Sequence, residues 1–117
     1  MKNLYGLTYS QKNILNISNL YPNSAINCIS GTFKIVESGD VEALKRAVNL
    51  YVKDNDGLRI RITKDSGEFL QYIEDYSEIT FEEIEFDNER ELYIWEEIES
   101  KTAIPILDNA LFYFKIT

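Results

Sequence analysis

A chain of 117 residues, 44% apolar and 13% aromatic, has the length of one domain and enough apolar mass for a core. Its 20 acidic residues outweigh 12 basic ones for a net charge of -8, a balance that argues against nucleic acid or an anionic membrane surface as partner. A single cysteine, Cys28, excludes an internal disulfide framework; with no signal-peptide-like start and no apolar run near the ~20 residues that cross a bilayer, the expectation is a soluble cytoplasmic protein.

In chain order, Thr8 and Gln11 stand at capping-box spacing and open a helix that runs to Leu20 and stops before Pro22. Residues 25–36 read as a long strand, with Ile29, Phe33 and Ile35 on one face and Ile26 and Cys28 on the other. The phase slips near Gly31, where a bulge fits. The stretch 38–62 organises the rest. Asp40 is an N-cap behind Gly39, Glu42 suits the helix dipole, and Val41, Leu44, Val48, Tyr51 and Val52 recur at helical spacing. Gly57 is expected to stop this helix in the left-handed conformation. The period then changes to two, with Leu58, Ile60 and Ile62 opposed to Arg59, Arg61 and Thr63.

A turn at Lys64-Asp65-Ser66-Gly67 returns the chain as a strand over 68–74, where Leu70 and Tyr72 oppose Phe69 and Ile73. A third, acidic strand is expected over 79–86. A helix over 88–101 has Asn88 and Glu91 as a polar cap pair, Leu92, Trp95 and Ile98 on its apolar face, and Glu97 and Lys101 as an outer pair. Residues 111–116 are apolar almost without alternation, as in a central strand covered on both faces. The fold class is therefore α/β in the broad sense (α+β): a mixed, largely antiparallel sheet with helices mainly on one face.

Little in this sequence supports catalysis. Histidine is absent, which removes the commonest base near neutral pH, the commonest zinc ligand and any Ser-His or Cys-His pair. Cys28 has no cationic neighbour in sequence and reads as a small buried residue. The glycines form no phosphate-binding loop. The carboxylates Glu82, Glu83 and Glu85, and Glu96, Glu97 and Glu99, read as a solvated strand edge and helix face rather than as a metal or acid/base site. Arg59 and Arg61 could clamp an anion; pairing with nearby carboxylates is the simpler reading. Trp95 reads as core. No catalytic residue and no metal ligand is assigned.

Three stretches together resemble the start of a condensation domain of a nonribosomal peptide synthetase, a family with the chloramphenicol-acetyltransferase-like fold. Leu7-Thr8-x-x-Gln11 resembles the family's opening LTxxQ. Gly39-Asp40-Val41-x-x-Leu44-x-x-Ala47-Val48 is similar to its G-x-L/V-D helix. That helix leads into Asp54-Asn55-Asp56-Gly57-Leu58-Arg59-Ile60-Arg61-Ile62, which resembles R-H-E-x-L-R-T-x-F. Residues 105–112 resemble a degenerate P-F-D-L…P-L. Asp54, Asn55 and Asp56 depart from the family's base, histidine and glutamate, which leaves Leu58 and Arg59 as the conforming positions.

The resemblance implies a single partial domain over residues 1–117, roughly the first half of the family's N-terminal subdomain. It implies Gln11, Asp40, Leu58 and Arg59 as structural motif residues, with Arg59 tying scaffold to active-site region through ion pairs or hydrogen bonds. The family's His-His-x-x-x-Asp-Gly is expected beyond Thr117, so the chain alone is expected to be inactive, whereas the parent would be an enzyme of peptide-bond formation in secondary-metabolite synthesis. The parent's partners would be carrier-protein domains bearing phosphopantetheine, with no cofactor bound directly. Alternatives are another coenzyme A- or carrier-dependent acyltransferase of the same fold, or a non-catalytic scaffold module. Because the last strand is apolar on both faces and the sequence stops just after it, the expectation is an excised piece or a natural module that needs something more to cover it, and a homo-oligomer, or a larger assembly, with Phe112, Phe114 or Ile116 in its interface.

Overall fold

The computed structural model describes residues 2–35 and 39–117, so Val36 and Ser38, at the edges of two expected elements, lie outside the described residues. A short strand β1 (Tyr5–Gly6) precedes helix α1 (Tyr9–Leu20). The capping box forms: the Gln11 backbone N–H donates to the Thr8 hydroxyl at 3.2 Å, and the Gln11 side-chain oxygen accepts from the Thr8 N–H at 2.7 Å. Helix α2 (Val41–Asp54) starts where Asp40 accepts from the Ala43 N–H at 3.2 Å. Helix α3 (Glu89–Ser100) starts where Asn88 accepts from the Glu91 N–H at 2.9 Å.

The hairpin β2 (Ile60–Asp65) and β3 (Glu68–Ile73) is the centre of the molecule. Its two-residue loop, Ser66 and Gly67, takes positive φ at both positions, 52° and 82°, as a primed turn that matches strand twist requires. The register pairs Ile60 with Ile73, Ile62 with Gln71 and Lys64 with Phe69 on one face. Arg61 pairs with Tyr72 and Thr63 with Leu70 on the other. β1 joins the outer edge of β3, giving an antiparallel sheet of order β1-β3-β2. The free edge of β2 is closed by a parallel bridge from Ile62 to Leu107. α1 lies on the Ile62 face: Leu7, Leu15 and Ile62 form the buried cluster, with Phe69 and Ile106 against it.

Four expectations are corrected. Gly57 is not a left-handed stop; α2 ends at Asn55 in extended conformation, and Gly57 sits inside a 3-10 turn, Asp56–Arg59, with φ outside the left-handed region. The helix's last carbonyls are instead met by side chains, so no glycine cap is needed. Residues 25–35 form no strand, because no described neighbour offers them a ladder; the chain instead turns, with Asn23 at φ 62° and the Cys28 N–H donating to the Ala25 carbonyl at 2.9 Å.

The acidic strand shrinks to β4 (Glu82–Glu83), and the last strand to β5 (Lys115–Ile116). They pair in parallel as a separate two-stranded sheet. The Ile79 N–H is taken by the Asn49 side chain at 2.7 Å rather than by a strand. Nor is the last stretch covered on both faces, since Tyr113 and Phe114 stay exposed.

The whole is open. Its radius of gyration is 16.5 Å, against roughly 13 Å for a compact domain of this length. Its accessible surface is 9244 Å², against roughly 6,600 Å² for a compact monomer of this mass.

Candidate functional site

The polar side chains that carry most of the tertiary hydrogen bonding gather around β3. Arg59, only 15% exposed, is the densest junction. Its Nη1 donates to the carbonyls of Val52 at 2.9 Å and Lys53 at 2.6 Å, its Nε to the Glu74 carbonyl at 3.0 Å, and its Nη2 to Asp56 Oδ1 at 2.6 Å. A fork of fixed donors can meet two helix-end carbonyls, a strand carbonyl and a carboxylate at once; an ammonium cannot span them. The cation also sits where the α2 dipole is negative. Leu58, half-buried beside it, closes the 3-10 turn by donating its N–H to the Asn55 carbonyl at 3.0 Å.

Gln11 reaches the same strand three residues away. Its Nε2 donates to Gln71 Oε1 at 2.7 Å, and Gln71 Nε2 donates to the Gly6 carbonyl at 2.8 Å, so the cap of α1 is tied to β1 and β3. Asp40 is not part of this arrangement. Beyond its cap bond it has Arg46 at 3.9 Å, and at about 1.5 Å rise per residue α2 puts it roughly 20 Å from the Arg59 end.

Sequence reasoning missed three further junctions. Asp108, with φ 54°, donates its N–H to the Ile62 carbonyl at 2.7 Å and accepts from Tyr72 Oη at 3.0 Å and Thr63 Oγ1 at 3.3 Å, docking the 105–111 segment on the hairpin. Asn49 accepts from Tyr76 Oη at 3.0 Å and from the Ile79 N–H, fastening the connection after β3 to α2. Glu99 accepts from Tyr113 Oη at 2.7 Å and Lys115 Nζ at 3.0 Å, and Lys115 also meets Glu82 at 3.3 Å. Asp108 lies inside the 105–112 stretch that resembles a family motif, which marks the segment but not its partners. Glu99 and Glu82 read from sequence as parts of solvated faces, because nothing local shows that Lys115 will arrive between them.

The electrostatics are those of a fastening. Lys2 pairs with Glu74 and lowers its pKa, with Arg61 at 3.3 Å adding to the effect. The Tyr113 hydroxyl, then Lys115, hold Glu99 below the usual carboxylate value. Lys115 is raised by Glu99 first, and Lys45 by Glu83 at 2.6 Å. Burial, then Asp108, raises Tyr72, and Glu99 raises Tyr113. Each carboxylate or amine shift favours the form already charged at neutral pH, and the phenols are pushed further from ionising, so none of these groups is poised as an acid or base near pH 7.

Among the described residues no cluster of His, Cys, Asp and Glu could hold a metal, and no helix is long and apolar enough to cross a membrane. The described residues include two shallow hollows of note. One of about 260 Å³ is lined by Tyr5, Ile60, Gln71, Tyr72 and Ile73. The other, of about 320 Å³, lies between α1 and the hairpin turn. Neither is lined by a cysteine, serine or threonine, and the second holds Lys12 and Glu68 in an open setting.

Residues 1–116 match the family profile described as the condensation domain. No curated protein matches the chain. Among solved structures it is similar to the starter condensation domain of rhizomide synthetase. A double mutant in complex with C8-CoA matches with a TM-score of 0.74 and 16% identity over 97% of this chain and 27% of that one. The domain in a "product-released" conformation gives 0.74 and 16% over 96% and 27%. With C8-CoA and Leu-SNAC it gives 0.73 and 16%, again over 96% and 27%. The chain thus spans 27% of the length of these solved chains, and at this identity the likeness is one of fold.

Proposed function

From the premise that this chain belongs to the condensation-domain family, we propose that it is scaffold of a domain that forms peptide bonds in nonribosomal peptide synthesis. In that reaction the acceptor's amine attacks the donor's thioester carbonyl. A C–N bond forms, the C–S bond breaks, and the amine proton leaves with the thiol. The family match over residues 1–116 carries the reading, and the site supports it. The residues that concentrate hydrogen bonds, Arg59, Gln11 and Asp108, fasten helices and segments to one hairpin and leave the chemistry to other residues. The reading brings with it carrier domains bearing phosphopantetheine as partners, a cytoplasmic setting, and self-association when the chain is alone.

A purified polypeptide containing this segment and its flanking residues tests the proposal. It is given a donor acyl thioester on one carrier and an aminoacyl thioester on another, and mass spectrometry follows the products. An amide product on the acceptor carrier is expected. Transfer only from free coenzyme A thioesters would favour the second reading, an acyltransferase of the same fold; no transfer to any acceptor would favour a scaffold module.

A further inference from the structure

The outer edge of β2 is gripped on both faces by one short segment, residues 105–111. Ile106 packs against the Leu7, Leu15 and Ile62 cluster on the α1 face of the hairpin. Two residues on, Asp108 accepts from Thr63 Oγ1 at 3.3 Å and Tyr72 Oη at 3.0 Å, and both of those side chains belong to the opposite face. In a regular strand, residues two apart share a face. The positive φ of Asp108, 54°, breaks that alternation and carries its carboxylate over the edge. Between the two hooks the backbones meet. Leu107 bridges to Ile62 in parallel, and the Asp108 N–H donates to the Ile62 carbonyl at 2.7 Å. The pairing goes no further: the Leu107 carbonyl is taken inside the segment by Asn109 Nδ2 at 2.8 Å, and Pro105 has no N–H to give.

We propose that residues 105–111 are a clip that opens and closes on the β2 edge while the hairpin stays folded, and that the Asp108 carboxylate is its latch. The clip is held by far less than the strand it covers. β2 and β3 share a ladder of six residue pairs, whereas the clip meets β2 in one isolated bridge. Asp108 is exposed and Ile106 only half-buried. Local opening follows such differences, with the weakly held segment released first. The carboxylate decides how often, because it alone in the segment ties both strands of the hairpin, Thr63 on β2 and Tyr72 on β3. With the clip open, β2 presents the unpaired backbone of an edge strand. With the clip closed, a bent segment that cannot extend the ladder covers that edge.

Hydrogen exchange on the 117-residue chain, read at two amides, tests the clip. The Asp108 N–H reports the clip. The Glu74 N–H, which donates to the Arg59 carbonyl at 2.8 Å, reports the hairpin. Asp108 is expected to exchange at least roughly tenfold faster than Glu74, after correction for intrinsic rates. Tyr72→Phe keeps the ring and removes one latch bond, and Asp108→Gly keeps the left-handed backbone and removes both. Each is expected to speed exchange at position 108 by about tenfold. Asp108→Asn keeps an acceptor and tolerates the same φ, so it should stay close to the unaltered chain. Gly67→Ala strains the hairpin turn at φ 82°. It is expected to speed Glu74 and leave Asp108 unchanged, because the clip opens without the hairpin. Two results overturn the proposal: Asp108 and Glu74 exchanging together and both accelerated by Gly67→Ala, or exchange at position 108 that neither Tyr72→Phe nor Asp108→Gly alters.

Discussion

Arg59 makes four hydrogen bonds, three of them to backbone carbonyls: two at the end of α2 and one just after β3. Arg59→Ala is expected to cost on the order of 1–3 kcal/mol, because it strands partly buried acceptors as well as losing its own bonds. Arg61, half-buried and paired with Glu74 at 3.3 Å, should cost about 0.5 kcal/mol on the same change, since it loses a salt bridge but strands no backbone acceptor. Urea melts of the two variants decide, and equal midpoints would refute the distinction. Gly57 gives a second test with the opposite sign. An added Cβ there meets nothing within 4 Å, and its φ is ordinary. Gly57→Ala should therefore stabilise by about 0.4–1 kcal/mol through the unfolded chain; a left-handed Gly57 would make the same substitution destabilising.

At the scale of elements, β4, β5 and α3 are clasped by Lys115 between Glu99 and Glu82. Glu99 has a folded pKa below its usual 4.5, so its contribution is complete above that value and is lost as pH falls through the folded value. Lys115 and Tyr113 are raised above 10.5 and 10.0, so theirs is present below those values and lost as pH rises through the folded ones. Melting temperature should hold level between about pH 5 and 9, and Glu99→Gln should flatten its fall toward pH 3. An unchanged acid limb would exclude the clasp as its cause.

The legibility of the elements follows from the range of the forces that make them. All three helices and the β2–β3 hairpin could be read from local caps, period and turn chemistry: Thr8 with Gln11, Asp40, Asn88, Ser66-Gly67. The strands expected over 25–36, 79–86 and 111–116 needed a partner ladder, and a strand's partner is not written in its own residues. The same limit hid Asp108 and Glu99, whose partners come from 36 and 16 residues away.

The molecule as a whole encloses little, with Leu7, Leu15, Val52, Ile62 and Tyr72 its buried apolar residues. With no histidine and no shifted group near neutrality, the purified chain alone should give no acyl or peptidyl transfer above the no-protein background; product formation would mean a nucleophile and base that this geometry does not assemble. The sheet of β1, β3 and β2 and the pair β4–β5 are separate, which raises the question of whether they unfold together. The chain answers it with a label of its own. Trp95, its one tryptophan, packs at a tilt against Phe86 with ring centres 5.5 Å apart, under the Lys115 ammonium at 5.8 Å. Its fluorescence therefore reports the Lys115 clasp and nothing in the hairpin. If acid shifts Trp95 emission at a higher pH than it changes the far-ultraviolet dichroism, the small sheet detaches as its own cooperative unit; coincident transitions would make the two sheets one.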